Sequence, residues 1–441
     1  MYLQVAGPVA AEGSRRRQAG ARRPGGLATS WHPVDSRGRR RTGGILDDQR
    51  VLGAAEEAAP ATPRVSLRGL IAVMASVGVV ALIYSLVGPL LSVNLERRGI
   101  DSVTNGALAA MPPIAVLLCG VFVPMIVRRL GAITSIVAGT AIAVSCLVLF
   151  PLLTALPAWF ALRFIMGISI GVIWIVSETW VNALAPDHAR GKIIGLYVTV
   201  LSACSAGGPL LVRVMGVEGA LPFFVSAGIL ALALLPIPIA AAGGSVPTFH
   251  HREAIPLRDA ARQAPIPMIA SIIHGGTMVV NMTLLPVYGM RMGLSEAEAV
   301  SLVTALIVGG MAAQIPVGHL LDRFNAGRVL MFSGAVQAMG AALLPFAIDN
   351  PSIWLLLLIW GGFGDGIYTT SLTMLGRAFT KEELPSANTA FTMFWELGAF
   401  VGPILGGLAM WLWDPHGMLA VSVIAGLLLV ILGIKAIRSG S

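Results

Sequence analysis

Four ionisable side chains, Arg163, Glu178, Asp365 and Glu396, stand inside long apolar runs of this 441-residue sequence. An ionisable group in hydrocarbon costs at least about 2.5–3.5 kcal/mol, so such residues are kept for a function or held by a partner. A carboxylate that meets water from alternate sides of a membrane can load and release a proton, which couples solute movement to a proton gradient. Asp365, among glycines in Gly361–Tyr368, and Glu396 are the leading candidates for coupling or solute binding, with a structural ion pair or hydrogen bond as the alternative. Arg163 divides between binding or coupling and a structural hydrogen bond. Glu178 lies fifteen residues beyond Arg163, roughly 22 Å along a helix; its alternative is a bond to Arg190, Lys192 or the end of a neighbouring helix.

The elements that must position these groups are apolar and long. The chain is 56% apolar and only 12% charged, with mean hydropathy +0.81, a composition that a soluble surface excludes. With about 20 apolar residues needed per crossing, twelve helices are expected. The first six are at 70–94, 103–127, 132–153, 157–183, 191–212 and 219–241. The second six are at 266–290, 298–320, 328–348, 352–375, 386–409 and 417–436. The predicted class is an all-α integral membrane protein of twelve helices in two six-helix pseudo-symmetric bundles. Its parts are a basic, disordered tail (1–65), an N-terminal bundle (66–241), a cytoplasmic linker (242–265) and a C-terminal bundle (266–437).

The second six helices repeat the first with an ungapped shift of 194 residues that carries Arg97 and Gly99 onto Arg291 and Gly293. The same shift carries Arg129 onto Arg323, Pro157 onto Pro351, Gly167 onto Gly361, and Gly208-Pro209 onto Gly402-Pro403. Two parallel repeats around a central cleft are the plan of transporters that rock one half against the other.

Charge sets the expected orientation. With residue 1 inside, the inside loops hold fifteen Lys and Arg and the outside loops four, Arg97, Arg98, Arg213 and Arg291, so both termini are expected on the cytoplasmic side of the plasma membrane. Ten more arginines lie between Arg15 and Arg50, so the net charge of +8 does not point to nucleic acid. The expected partners are a small-molecule solute, protons and the lipid bilayer, and the expected unit is a monomer. No cofactor or metal is implied, the three cysteines fall within spans, and the sequence contains no GxxxxGK[ST] phosphate loop.

The segment Gly318–Phe324, GHLLDRF, resembles the loop signature of the major facilitator superfamily, with Gly318, Leu320, Asp322 and Arg323 in place. Its counterpart between the second and third helices keeps Arg129 and Gly131 but has Arg128 where the superfamily usually has an acid. RFIMG (Arg163–Gly167) resembles the superfamily's fourth-helix arginine motif. GAFVGPILGG (Gly398–Gly407) resembles the Gly-Pro motif that its antiporters carry in the fifth helix, where this chain keeps only Gly207–Pro209. Arg163–Val200 is most similar to the YcaD-like branch, whose members are transporters of undefined substrate.

The resemblance implies that Asp322, Arg323 and Gly318 belong to a cytoplasmic gate, and that the fourth and tenth helices line a central cavity. Gly208, Pro209, Gly398, Gly402, Pro403, Gly406 and Gly407 are read first as packing and hinge residues. Tyr84, Trp174, His274, Asn281, Gln314, Trp360, Tyr368 and Trp395 are further cavity candidates, each against a packing or interface-belt role. The leading expectation is a secondary active transporter, not an enzyme, proton-coupled and exporting a small amphiphilic or apolar compound. The alternatives are uptake of a small organic anion held by Arg163, and a membrane sensor that retains the fold without transporting.

Overall fold

The computed structural model describes residues 67–184, 190–242, 256–380 and 383–439; the tail expected at 1–65 and most of the expected linker lie outside these. Among the described residues twelve helices are long and apolar enough to cross a membrane, which makes this a multi-pass membrane protein. We number them α1 Leu67–Arg97, α2 from Ser102 to Leu130, α3 Ala132–Leu152, α4 Leu156–Leu184, α5 Arg190–Met215 and α6 from Leu221 to Ala242. The second half comprises α7 Pro265–Arg291, α8 Glu296–Arg323, α9 Ala326–Ala347, α10 Ser352–Ala378, α11 Leu384–Leu412 and α12 Gly417–Ser439, with a short helix, Leu257–Gln263, ahead of α7.

Each helix lies where the apolar pattern puts it, but several run past the predicted ends. Hydropathy marks the hydrocarbon boundary, whereas a helix ends where its backbone finds a cap. A Ser295–Glu298 capping box starts α8 at Glu296, two residues ahead of the apolar run, by satisfying amides that the first turn leaves free. Two helices expected to be continuous are segmented. α2 is built from Ser102–Ala109, Met111–Cys119, a 3-10 turn at Gly120–Phe122, and Val123–Leu130, because Pro112, Pro113 and Pro124 each remove an amide donor. α6 breaks between Leu221–Leu232 and Ile237–Ala242, beside Pro236 and Pro238.

Packing follows the repeat. In the first half α1 packs on α5, α2 on α4, and α3 on both α4 and α6; in the second half α7 packs on α11, α8 on α10, and α9 on both α10 and α12. The shared glycines explain why. A side chain at Gly208 of α5 would collide with Leu82 and Ser85 of α1, and one at Gly402 of α11 would collide with Gly276 of α7. These are the same contact, since the 194-residue shift carries Gly208 onto Gly402 and Leu82 onto Gly276. Likewise Gly167 admits Pro112 of α2 and Gly361 admits Leu306 of α8. Small residues let helix backbones meet where lipid offers no hydrophobic drive for association.

The bundles join through α2 with α11, α5 with α8, and α1 with α7, an arrangement that the same shift maps onto itself. Their polar ties gather at the end that carries the α1–α2 and α7–α8 turns. There Ser92 donates to the Thr283 carbonyl, Ser102 donates to the Gly407 carbonyl at 2.9 Å, and Arg213 donates to the Ser301 hydroxyl at 3.1 Å. Arg291 pairs with Glu96 at 2.7 Å and Arg97 with Glu296 at 3.4 Å.

Candidate functional site

A cavity of about 60 Å³ lies among α5, α7, α8, α9 and α10. Four of the sequence candidates, His274, Asn281, Trp360 and Asp365, line it, together with Ser205, Thr277 and Gln337. Its apolar wall comes from Met278, Met282, Val303, Leu306 and Ile307.

Asp365 is held there by glycines. Gly309 of α8 abuts Leu358 and Gly361 of α10 abuts Leu306, so the two backbones run close enough that the Asp365 carboxylate lies directly against Gly310. A β-carbon at Gly310 would occupy the carboxylate's place. The glycine-rich run around Asp365 thus allows close helix packing and leaves room for the acid.

Gln337 is absent from the sequence-based set; its only signal there is a lone amide in an otherwise apolar helix. It is 2% exposed, and its Oε1 accepts a 2.7 Å hydrogen bond from the Trp360 indole. An indole N–H only donates, which fixes the amide's orientation and turns its Nε2 away from Trp360. That Nε2 is buried without a partner, as is the Asn281 Oδ1. His274 is buried at 3% exposure, with its ring 5.5 Å from that of Tyr368 and 6.5 Å from that of Trp395.

A second constellation forms at the bundle interface. Tyr84 of α1 lies within reach of the charges of both Glu396 of α11 and Arg163 of α4. Arg163 and Glu396 are buried, and the Arg163 Nη1 has no hydrogen-bond partner. The other candidates stand apart from the cavity wall. Tyr368 packs on Phe391 with ring centroids 5.3 Å apart, Trp395 is buried with its indole nitrogen unpartnered, and Trp174 is half-buried with its indole nitrogen unpartnered. Gln314 is half-buried on α8. Glu178 lies within electrostatic reach of Tyr197 of α5, and the side chains of Arg190 and Lys192 lie outside the described residues.

Gly398 admits the Ile272 backbone, Gly406 meets Val280, and Gly407 and Pro403 meet α2 at Ser102 and Gly106. Gly318 differs, since a β-carbon there would meet nothing. Asp322 and Arg323 are exposed, and neither takes part in an ion pair with a described residue. Among the described residues no group of His, Cys, Asp and Glu is disposed to hold a metal ion.

Comparison with known proteins follows the same outline. The chain matches the Major Facilitator Superfamily over residues 73–364 and 267–439. It is 25% identical over 329 residues to the uncharacterized transporter YfkF of Bacillus subtilis, covering 73% of this chain and 83% of that protein. It is 25% identical over 256 residues to the uncharacterized transporter YcaD of Salmonella paratyphi B, covering 57% of this chain and 65% of that protein. Among solved structures, the nucleoside transporter NupG superposes with TM-score 0.65 at 15% identity, over 85% of this chain and 98% of that one. A bacterial homologue of the human lysosomal transporter Spinster, in an inward-facing and occupied conformation, gives TM-score 0.66 at 13% identity, over 84% and 96%. The duplicated six-helix packing, the GHLLDRF segment and these matches agree: the chain belongs to the major facilitator superfamily of membrane transporters.

Proposed function

We propose that the protein is a proton-coupled secondary transporter of the plasma membrane, and that it exports a small amphiphilic compound by alternating access. The observation that carries this reading is Asp365, a carboxylate within a membrane-spanning helix and on the wall of a cavity. The acid serves solute and proton in turn. A solute bound beside it leaves when the carboxylate takes a proton from the other side, and the proton leaves when the cavity opens again to the cytoplasm. A wall that sets apolar side chains beside several polar groups suits an amphiphile. Export is the direction favoured by the Gly-Pro motif of α11.

In this reading both termini are cytoplasmic, so the tied end faces outward and the structure is an inward-facing state. Asp322 and Arg323 then act in the other state, closing the cytoplasmic end through charged hydrogen bonds when the bundles rock. Glu396, with Tyr84 and Arg163, lies where the bundles move against each other and is the second coupling candidate.

The test is reconstitution into liposomes with a pH-sensitive dye inside, and a screen of hydrophobic cations, neutral amphiphiles and organic anions for solute-dependent proton flux. Flux with at least one class that disappears in Asp365→Asn supports the proposal. Flux unchanged in that variant removes Asp365 from coupling.

A further inference from the structure

We propose that the cavity recognises a nitrogenous head group, neutral or singly cationic, that gives an N–H to Asp365 and accepts a hydrogen bond from Gln337. The inference rests on reading this cavity as the solute site and names the solute class.

Of the polar residues that line the cavity, Asp365, Gln337 and Asn281 come from three helices, and the Gln337 Nε2 and Asn281 Oδ1 have no hydrogen-bond partner. Because the Trp360 indole occupies Gln337 Oε1, the free Nε2 can only donate, so the ligand atom opposite it is an acceptor. Asp365 accepts when ionised, so the ligand atom opposite it carries hydrogen. The unpartnered Oδ1 of Asn281 on α7 adds a second acceptor. Buried groups left unpaired are destabilising, a cost that a matching ligand removes. The pattern therefore selects a head group with a donor and an acceptor close together, as in an amide, a lactam or an amino-heterocycle.

Charge argues the same way. Among the described residues no Lys or Arg lines the cavity, so a carboxylate placed there would face Asp365 with no Lys or Arg to hold it, and Arg163 lies in the other constellation. This disfavours the organic-anion alternative. Size adds a limit, because about 60 Å³ is well below the ~300–1,000 Å³ of sites that enclose drug-sized ligands. The cavity takes a head group of a few atoms, with the apolar body of the solute along Met278 and Met282.

The experiment measures binding to the full chain in nanodiscs by ligand-induced thermal stabilisation, with transport read separately. The probes are 2-aminopyridine and nicotinamide, which pair a donor with an acceptor, nicotinate as the matched anion, and tetraethylammonium as a cation without N–H. The expected result is stabilisation by the first two and none by the others. Gln337→Met is expected to weaken the preferred probe about tenfold, the scale of one hydrogen bond. Trp360→Phe, which frees the amide to turn, is expected to weaken it similarly should the first variant fold poorly. Stabilisation by nicotinate or tetraethylammonium equal to that by nicotinamide, binding unaffected by either substitution, or no binding by any probe would overturn the proposal. Binding without proton flux would leave the solute class standing and count against coupling. Proton flux driven by nicotinate would do the reverse.

Discussion

Arg291 grips Glu96 across the bundle interface through two parallel hydrogen bonds, Nε to Oε1 at 2.7 Å and Nη2 to Oε2 at 2.9 Å. The two side chains are only 21% and 16% exposed, so water screens this pair less than an ordinary surface pair. Arg291 also holds Asp414 of its own bundle at 2.6 Å. Its repeat equivalent, Arg97, does the same in mirror fashion, holding Glu218 of its own bundle at 2.6 Å and Glu296 of the other at 3.4 Å. Each arginine ties the turn at the end of its bundle's first helix to the opposite bundle, so both ties must break before this end can open.

Breaking the tighter tie should shift the conformational equilibrium. A bidentate charged pair contributes about 1.5–3 kcal/mol, so Glu96→Gln is expected to favour opening at this end by roughly tenfold or more. The readout is the labelling rate of Val300→Cys by a membrane-impermeant thiol reagent, because Val300 is 1% exposed and packs into the core of the N-terminal bundle. The three native cysteines would be replaced first. The exchange Glu96→Arg with Arg291→Glu, made together with Asp414→Asn so that two carboxylates are not set side by side, should restore slow labelling. Labelling unchanged in Glu96→Gln would mean that the apolar contacts between α2 and α11 and between α5 and α8 suffice.

Asp365→Asn and Glu396→Gln should each abolish proton-driven solute movement while the protein still inserts and folds, because both substitutions keep size and polarity and remove only the titratable group. They should differ in binding. Asp365→Asn is expected to weaken the solute, whereas Glu396→Gln should leave binding near wild type and stop accumulation. Wild-type transport from either variant would end that residue's claim to coupling.

The glycine contacts predict a contrast within one bundle. Gly402→Ala would drive a methyl into the Gly276 backbone and Gly398→Val would drive one into Ile272; overpacking of this kind costs about 1–3 kcal/mol or more. Gly318→Ala meets open space and removes a poor helix former, so stability should be unchanged or raised by up to about 1 kcal/mol. Thermal unfolding in detergent followed by fluorescence separates the two. Equal loss in all three would show that backbone freedom, rather than close approach, is what these positions supply.

How much of this was legible beforehand follows from what repeats and what does not. Helix number, topology and the packing glycines are carried by residues that recur across the two halves, such as Gly208 with Gly402 and Gly167 with Gly361, and a repeated physical requirement leaves a repeated residue. The candidate chemistry sits at positions without a counterpart. The shift of 194 residues places Gly171 opposite Asp365 and Ser202 opposite Glu396, so only their cost at membrane depth marked them. Gln337 stayed hidden because a single amide in an apolar helix has many uses. Its role depends on Trp360, 23 residues away in sequence and on another helix, and on an amide orientation that only the bond to the indole fixes. The ties of Arg97 and Arg291 were half visible. Their repetition could be read from the sequence, but the acids that they hold, Glu96, Glu218, Glu296 and Asp414, stand at positions without an acidic counterpart in the other half.

Asp101 gives a pH-dependent prediction outside the membrane spans. It caps α2, accepting from the Thr104 amide at 2.8 Å and from the Thr104 hydroxyl at 2.9 Å. The Thr104 amide bond in particular holds its carboxyl below the usual aspartate range. A carboxyl depressed in the folded state contributes stability that is fully present above its unfolded pKa, about 3.9, and is lost as pH falls through the lower folded value. Asp101→Ala should therefore cost about 1 kcal/mol at neutral pH, the usual value of such a cap, while Asp101→Asn should cost less because an amide oxygen still accepts. The gap between wild type and Asp101→Ala should close as the solution is acidified below the ordinary carboxylate range. Because Ser102, the next residue, bonds the Gly407 carbonyl of the opposite bundle, the loss should also speed labelling of Val300→Cys. Unfolding curves for the three proteins across acid pH, with the labelling assay beside them, test both effects; a gap that persists unchanged in acid would show that the Asp101 charge contributes nothing to the cap.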